Sequence, residues 1–490
     1  MKPQVWTAAA AMLVMAGCAV GPKYARPDVP MTPEFKELPP QAYKETKEWK
    51  TAHPAQLIPE KWWEAFGDPQ LNHLEEEVAA GNQDLKIAEA RFTEARTAIR
   101  FNRSAKFPAI SISPGLTSTR WSPNRPYFGG NTPATGDLLL PFDVSYEVDL
   151  WGRVRRSIAS AREAADASAA DLATVRLSIE AELAFDYFDL RSADTEQQLL
   201  NDTVQAYTQA LQLTTNRFDG GAAPKSDVAQ AQTQLETTRA QATDIAVRRA
   251  ANEHAIAVLV GRPPASFRIA PAVVRMEPPV IPVGVPSQLL ERRPDIASAE
   301  RQVMVANEQI GLAKIAYYPT LLLSAALGLE GSSFATWFGW PSRFWAVGPV
   351  LAETLFDGGR RRAASEEARA AYDATVAGYR ETTLTAFQQV EDNLAALRIL
   401  EQESGEQHRA VVSSQEALQL FNNRYQGGVD SYLQVITAQT TALGNERIAI
   451  DLTRRRMEAS VLLVKALGGG WDVSKLSQPA KDGTVVSVQP

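Results

Sequence analysis

Three textures alternate along the chain. In "DLLLPFDVSYEVDL" (Asp137 to Leu150) apolar residues fall at every second position: Leu138, Leu140, Phe142, Val144, Tyr146, Val148 and Leu150. An alternation this long predicts a strand with two unlike faces. "AISISPGLTSTRW" (Ala109 to Trp121), "TLLLSAALGLEG" (Thr320 to Gly331) and "RFWAVGPVLAETLF" (Arg343 to Phe356) read the same way. The predicted strands are therefore 109–121, 136–150, 320–331 and 342–356, with turn-rich aromatic loops between the members of each pair. From Arg153 to Phe218 the spacing changes. Ile179, Leu183, Leu190, Ala193, Leu200, Val204, Tyr207, Leu211 and Phe218 are separated by threes, fours and sevens, the signature of a coiled-coil helix. At about 1.5 Å per residue it runs roughly 100 Å. Shorter helices rich in Ala, Glu and Arg are predicted at Leu71–Lys106 and Ser287–Ala316.

The pattern occurs twice. "NRFDGGA" (Asn216 to Ala222) returns as "NRYQGGV" (Asn423 to Val429), 207 residues on. At that offset Gly152 meets Gly359, Arg162 meets Arg369, Ala231-Gln232-Thr233 meets Ala438-Gln439-Thr440, and Gly261 meets Gly468. Upstream, "AKFP" (Ala105 to Pro108) meets "AYYP" (Ala316 to Pro319) at an offset of 211, so the first copy is four residues longer between Pro108 and Gly152. The expected organisation is a signal segment 1–17, an extended segment 18–70, a first repeat 71–264 with a hairpin tip near 219–226, a Pro-rich linker 265–286, a second repeat 287–470 with a tip near 426–431, and a tail 471–490. Glycine pairs at the tips suit helix C-termini.

Composition narrows the class. A net charge of −7 without a long basic run argues against a nucleic-acid partner. His53, His73, His254 and His408 have no ligand spacing, no nucleophile elbow or P-loop is present, and long Ala/Gln helices offer no usual pocket. No enzyme, metal or cofactor is expected. Cys18 is the only cysteine. It follows Lys2 and the apolar run Val5 to Gly17, the layout of a secretory signal. "VMAGC" resembles a bacterial lipobox, with Met15 in place of the usual Leu, which marks Cys18 for lipidation; an ordinary signal peptide with an incidental cysteine is the alternative. Ala19, where inner-membrane lipoproteins typically carry Asp, favours the outer membrane.

Strands of about ten residues, apolar on one side and polar on the other, match a membrane β-barrel wall; an ordinary sheet with its apolar side on a core is the other reading. Four strands cannot close a spanning barrel, whose minimum is about eight, so several chains contribute or the sheet packs on something else. If the apolar face meets lipid, Asp137, Asp143, Glu147 and Asp149 line the lumen with no basic residue beside them, and Glu330 and Glu353 join or not with the register of their strands. Acidic rings predict cation preference.

Several motifs occur in order: "CAVGPKYARPDVP" (Cys18 to Pro30), "WWEAFGDPQL" (Trp62 to Leu71), "DLWGR" (Asp149 to Arg153), "RRPDI" (Arg292 to Ile296), "YYPTL" (Tyr317 to Leu321), "LFDGGRRR" (Leu355 to Arg362) and "NRYQGGVDSYLQVITAQ" (Asn423 to Gln439). With them the chain resembles the TolC-like outer membrane factor family of bacterial tripartite efflux systems, and more narrowly its NodT-like lipoprotein branch. The resemblance implies a mostly α fold with a membrane β-barrel portion. It implies a homotrimeric tunnel, four barrel strands per chain and long antiparallel coiled-coil helices in the periplasm. The implied function is the exit duct of an efflux pump for small molecules, held in the outer membrane. The implied partners are a periplasmic adaptor and an inner-membrane pump of the RND type. By the same resemblance Arg424, Tyr425, Val429, Asp430 and Leu433 match the gate, and Gly220, Gly221, Gly427 and Gly428 the adaptor-docking turns. Thr437 replaces an acidic residue often found there, implying a looser closed state. Asp430 or Ser431 as a helix cap, and Leu433 as a coiled-coil core residue, are the structural alternatives. A type I protein-secretion duct shares the architecture and is the rival function.

Overall fold

The computed structural model describes residues 20–37, 58–124, 126, 133–283 and 286–476. In chain order the principal elements are helices α1 (Pro69–Gly81) and α2 (Gln83–Ser104), then strands β1 (Ala109–Ile112), β2 (Gly115–Thr119) and β3 (Thr135–Val148). Helices α3 (Arg153–Asp219) and α4 (Lys225–Leu259) follow. The second copy brings α5 (Pro294–Ile315), β4 (Thr320–Gly331), β5 (Arg343–Ala352), α6 (Arg360–Gln426) and α7 (Tyr432–Ala466). The duplication is kept to the residue. Both α3 and α6 have 67 residues, both α4 and α7 have 35, and both α2 and α5 have 22. From residue 83 to 294 the offset is 211; from 153 to 360 and from 225 to 432 it is 207.

Two departures from the predicted helices share one cause. The predicted helix Leu71–Lys106 breaks at Asn82, and Ser287–Ala316 breaks at Arg293, its counterpart 211 residues on. Each break residue hands its side chain to the end of a long helix: Asn82 Nδ2 donates to the Leu259 carbonyl at 2.8 Å, and Arg293 Nη1 to the Ala466 carbonyl at 2.9 Å. Terminal helix carbonyls lack intrahelical partners, so these bonds satisfy groups that burial would otherwise penalise. Backbones also crowd there. A Cβ on Gly81 would lie 2.2 Å from the Val260 carbonyl oxygen, and one on Gly468 2.0 Å from that of Arg292.

The strands form one antiparallel sheet. β3 pairs with β1, β2 and β4, and β4 with β5. The predicted strand 109–121 is interrupted. Ile112 stands opposite Phe142 and Gly115 opposite Leu139, so register is continuous and the gap sets Ser113-Pro114 against Leu140-Pro141. Two prolines, neither with an N–H, explain the missing rungs. β5 stops at Ala352 rather than Phe356, because the next rung of β4 would fall on Pro319. β3 stops at Val148 because Asp149 turns to cap α3.

The chain divides into two compact units, each described by itself. One comprises residues up to Pro27, Arg91–Ser168 and Ser298–Tyr379; the other comprises Asp28–Ala90, Ala169–Ala297 and the chain from Arg380. The first holds the sheet and its flanking helix ends. The second is helical, with small apolar clusters such as Ala193, Leu200, Ile245 and Leu443 drawn from α3, α4 and α7. Several of its buried charges are paired: Asp194 takes Arg191 and Arg249, and Glu196 takes Arg248 and Arg447. No helix among the described residues is long and apolar enough to cross a membrane.

Candidate functional site

Register decides the faces of the sheet, because residues directly opposite each other point the same way. One face collects Ile110, Ile112 and Leu116, then Leu138 to Val148 at alternate positions. From β4 and β5 it takes Leu321, Leu323, Leu327, Leu329, Trp345, Val347 and Leu351. It is apolar across every strand up to Arg343, which stands opposite Leu329 at the end away from the helices, and many of its members lie open; Trp345 is 78% exposed and Ile110 72%, while Leu138 is buried. The 12 residues of β4, at about 3.3 Å each and tilted near 40°, span roughly 30 Å, enough for an outer-membrane hydrocarbon band. Aromatic residues gather beyond both ends: Phe107, Trp151, Tyr317, Tyr318 and Phe356 on the helix side, and Trp121, Phe334, Phe338 and Trp340 at the other. Such girdles mark the two interfaces of a membrane barrel.

The other face is mostly small and polar, with Leu139, Leu322, Phe344 and Val350 among its members. Asp137 stands opposite Thr117, Asp143 between Ser111 and Ala326, and Glu330 opposite Leu139. Glu330 thus joins the polar face, while Glu353 lies beyond the end of β5. Two of the expected acids need correction, since basic residues do stand beside them. Glu147 is paired with Arg153, whose Nε donates at 2.6 Å. Asp149 is a helix cap: its carboxylate accepts from the Val154 and Arg155 amides, each at 3.0 Å, and pairs with the Arg155 guanidinium. Asp357 does the same for α6, accepting from the Gly359 and Arg361 amides. The chain turns from sheet to long helix in the same way twice, and a carboxylate at a helix start is favoured by the unpaired amides there.

The hairpin tips are built from one backbone motif used twice. At the end of α3 the Ala222 amide reaches the Arg217 carbonyl (2.7 Å) and that of Gly221 the Phe218 carbonyl (2.9 Å). At the end of α6 Val429 reaches Arg424 (2.9 Å) and Gly428 reaches Tyr425 (3.0 Å). This is a Schellman cap, whose C′ residue must be left-handed; Gly221 and Gly428 have φ of 72° and 73°. No atom lies within 4 Å of a Cβ built on Gly221, so dihedral demand, not crowding, requires glycine there.

Side chains make the two tips different. Arg424 grips Asp430 through two bonds of 2.5 and 3.1 Å, which holds the Asp430 carboxyl below the usual carboxylate range. Ser431 is the N-cap of α7 and makes no side-chain cap bond, so neither residue serves as a side-chain cap. Tyr425 is buried beside Tyr432, Val435 and Ala231, inside the tip rather than on its surface. Val429 and Leu433 are open, 68% and 55% exposed, which sets aside the core reading of Leu433 within one chain. Thr437 bonds back to the Leu433 carbonyl. Arg217, which periodicity did not single out, crosses from the first tip to the second. Its Nη1 donates to the Tyr425 and Gln426 carbonyls at 3.0 and 3.1 Å, and its guanidinium lies 4.7 Å from the Tyr425 ring centre. The offset of 207 pairs Arg217 with Arg424, a signal that was available.

A second group missed by sequence reasoning lies at "WWEAFGDPQL". Trp62 is buried and donates to Glu180 at 3.2 Å; Asp68 caps α1 and accepts from the Tyr187 hydroxyl at 2.6 Å. Glu75 is buried with neither carboxylate oxygen bonded among the described residues, and burial, reinforced by Glu180, pushes its pKa far up. Burial likewise raises Glu180 to about 7.

Cys18 lies outside the described residues. The chain just after it forms a strap along α5. The Val20 carbonyl accepts from Arg156 Nε at 2.7 Å, a Cβ on Gly21 would sit 2.8 Å from Gly311 Cα, Pro22 accepts from Asn307, and Tyr24 and Arg26 reach Glu300. The strap therefore starts at the end of α5 nearest the sheet and runs away from it.

Known proteins resemble the chain throughout. The family model described as outer membrane efflux protein matches residues 74–262 and 285–469, two spans whose starts differ by 211 and ends by 207. The pyoverdine export outer membrane protein OpmQ of Pseudomonas aeruginosa is 30% identical over 427 residues, covering 86% of this chain and 90% of its own. The solvent efflux pump outer membrane protein SrpC of Pseudomonas putida is 30% identical over 466 residues, 95% of this chain and 98% of its own. Among solved structures, the outer-membrane channel OprN aligns with a TM-score of 0.82 at 27% identity over 93% of this chain and all of its own. The open-state MtrE channel of Neisseria gonorrhoeae aligns with a TM-score of 0.81 at 25% identity over 93% of this chain and 99% of its own.

Proposed function

The chain belongs to the outer membrane efflux protein family, and from that membership we propose that three copies close one lipid-anchored exit duct, gated where the second-copy tips meet. The observation that carries this is the sheet: four strand positions wide, apolar on one face up to Arg343, and, among the described residues, unpaired at both edges, β1/β2 and β5. Free edges invite pairing with another chain. Two copies would give about eight strands, a barrel whose interior side chains fill. Three give about twelve, the first closed number with room for water. The strap supports lipidation of Cys18, because Val20 is held beside Arg156, one turn into α3 from the sheet.

The gate reading rests on the difference between the tips. Where the second copy has Val429, Asp430 and Leu433, the first has Ala222, Ala223 and Ser226. Only the second tip therefore offers exposed apolar side chains beside a charged pair. Threefold repetition sets Val429 and Leu433 against their own copies as an apolar plug, and Arg424–Asp430 can exchange its intrachain bond for one to a neighbour. An adaptor of helical-hairpin form, joined to an inner-membrane pump of the RND type, would dock on the bare turns Gly220-Gly221 and Gly427-Gly428. SrpC and OpmQ differ in cargo, solvent against pyoverdine, on a shared scaffold; the duct is accordingly a passage for small molecules that its pump selects. Planar-bilayer recording tests the gate. Asp430→Ala with Leu433→Ala should raise resting conductance several-fold while the trimer survives; wild-type conductance in an intact trimer would place the gate elsewhere.

A further inference from the structure

The two copies differ on one helix face next to the sheet. On α5 the strap covers the stripe Glu300, Asn307 and Gly311. The offset of 211 maps Asn307 onto Arg96, Gly311 onto Arg100 and Lys314 onto Arg103 of α2. Spaced four and three, these arginines share one helix face. Lys106 follows in the last turn before β1. Among the described residues none of the four has a carboxylate partner: Arg96 rests on the Phe92 ring and Arg100 on the Thr97 hydroxyl. Phe101 and Phe107 are exposed alongside them. No acid follows Glu94 on this helix. The strap could not serve this face, since residues 20–27 bring Lys23 and Arg26 and no acid.

We propose that Arg96, Arg100, Arg103 and Lys106 bind the head groups of anionic phospholipids in the leaflet on the helix side of the sheet. The inference rests on the reading that the apolar sheet face spans the membrane. Three observations support it. The stripe ends where β1 begins, so Lys106 and Arg103 lie at head-group depth, and Arg100 and Arg96 follow about 5 and 10 Å further along the helix, from where their long side chains reach back. Phe107 stands in the aromatic girdle at that interface. The stripe also occupies the position that, in the other copy, a lipid-proximal segment of the chain fills. Arginine forks match phosphate oxygens two at a time, and basic residues beside a membrane contribute about 1 kcal/mol each towards anionic lipid.

The test titrates short-chain phosphatidylglycerol, with phosphatidylcholine as comparator, into the detergent-solubilised full-length protein and follows binding by native mass spectrometry. The wild type should prefer phosphatidylglycerol, and added salt should weaken that preference. Arg96→Gln/Arg100→Gln/Arg103→Gln should weaken phosphatidylglycerol binding about a hundredfold, three side chains at about 1 kcal/mol each. The Lys triple variant should stay within several-fold of wild type. Equal binding of both lipids by the wild type, or an unchanged Gln variant, overturns the proposal. So does loss of assembly in the Gln variant combined with no lipid preference in the wild type, which would make the stripe a contact between copies. If the Gln variant does not assemble, Arg100→Gln alone, expected to lose about fivefold, decides. Outer-membrane fractionation of the same variants separates failure of this site from failure of the membrane-spanning reading.

Discussion

Arg217 is the test of whether the tips act as one body. Removing it as Arg217→Ala deletes two bonds from one nitrogen to the Tyr425 and Gln426 carbonyls, and the guanidinium above the Tyr425 ring. A hydrogen bond from a charged donor contributes about 1.5–3 kcal/mol, and a partly exposed cation–π contact about 0.5–1 kcal/mol. The two bonds share Nη1 and count as one. The Arg217 Nε is buried without a partner among the described residues, so its release recovers part of the loss. A local loss of about 2 kcal/mol follows, close to thirtyfold in an opening equilibrium. Amide hydrogen exchange reads it directly, because the Gly428 and Val429 amides close the cap on Tyr425 and Arg424. Both should exchange about thirtyfold faster in Arg217→Ala, and several-fold faster in Arg217→Lys, which keeps charge but not the planar fork. Amides in mid-α7 should not change. Exchange at Gly428 and Val429 within twofold of wild type would refute the coupling, leaving each tip held by its own helix pair.

Glu180 predicts a pH dependence. Burial pushes its pKa in the folded chain up to about 7 from the ordinary 4.5; the stabilisation is full below about 4.5 and lost as pH rises through about 7, about 3 kcal/mol on the linkage relation. Thermal melts of Glu180→Gln between pH 5 and 8 should be flatter than those of wild type, and parallel curves would contradict the assignment. With Glu147 and Asp149 engaged by arginines, Asp137, Asp143 and Glu330 carry the charge of the polar face. Reversal potentials under a salt gradient should show cation preference that drops sharply in Asp137→Asn/Asp143→Asn/Glu330→Gln and barely in Asp149→Asn; anion preference in the wild type would invert the face assignment. Labelled palmitate should enter the wild type and not Cys18→Ser, and equal labelling would remove the lipid anchor.

Much of the fold was legible because it is written twice. Offsets of 207 and 211 in the letters reappear as offsets between helix starts, and alternation in the strands reappears as one apolar face in register. Period alone failed where one residue changes role. Asp149 continues the alternation of β3, yet it accepts amide bonds from α3; a two-residue period cannot tell the last strand residue from a cap. Asn82 and Arg293 do one job with unlike chemistry, so matching identities passes over them.

Tyr425 shows a different limit. Its counterpart Phe218 is 39% exposed while Tyr425 is 4% exposed, although both occupy the same place in the same cap. Tyr425 packs against Tyr432, Val435 and Ala231 and lies under Arg217, which crosses between tips; the contacts with Ala231 and Arg217 span some two hundred residues, and no local pattern encodes them. Duplication sharpens the point. Where the copies agree, as at Gly221 and Gly428, the residues serve backbone geometry that both hairpins need. Where they disagree, geometry is already satisfied and the residue is free to serve the assembly. Asp430 against Ala223 and Leu433 against Ser226 are two such places, both at the tips. Swapping these tip side chains between copies should leave each helix standing while exchanging what its end offers, whereas an arginine at Gly311 would bring a Cβ to 2.6 Å from Arg156 Nη1 and displace the strap.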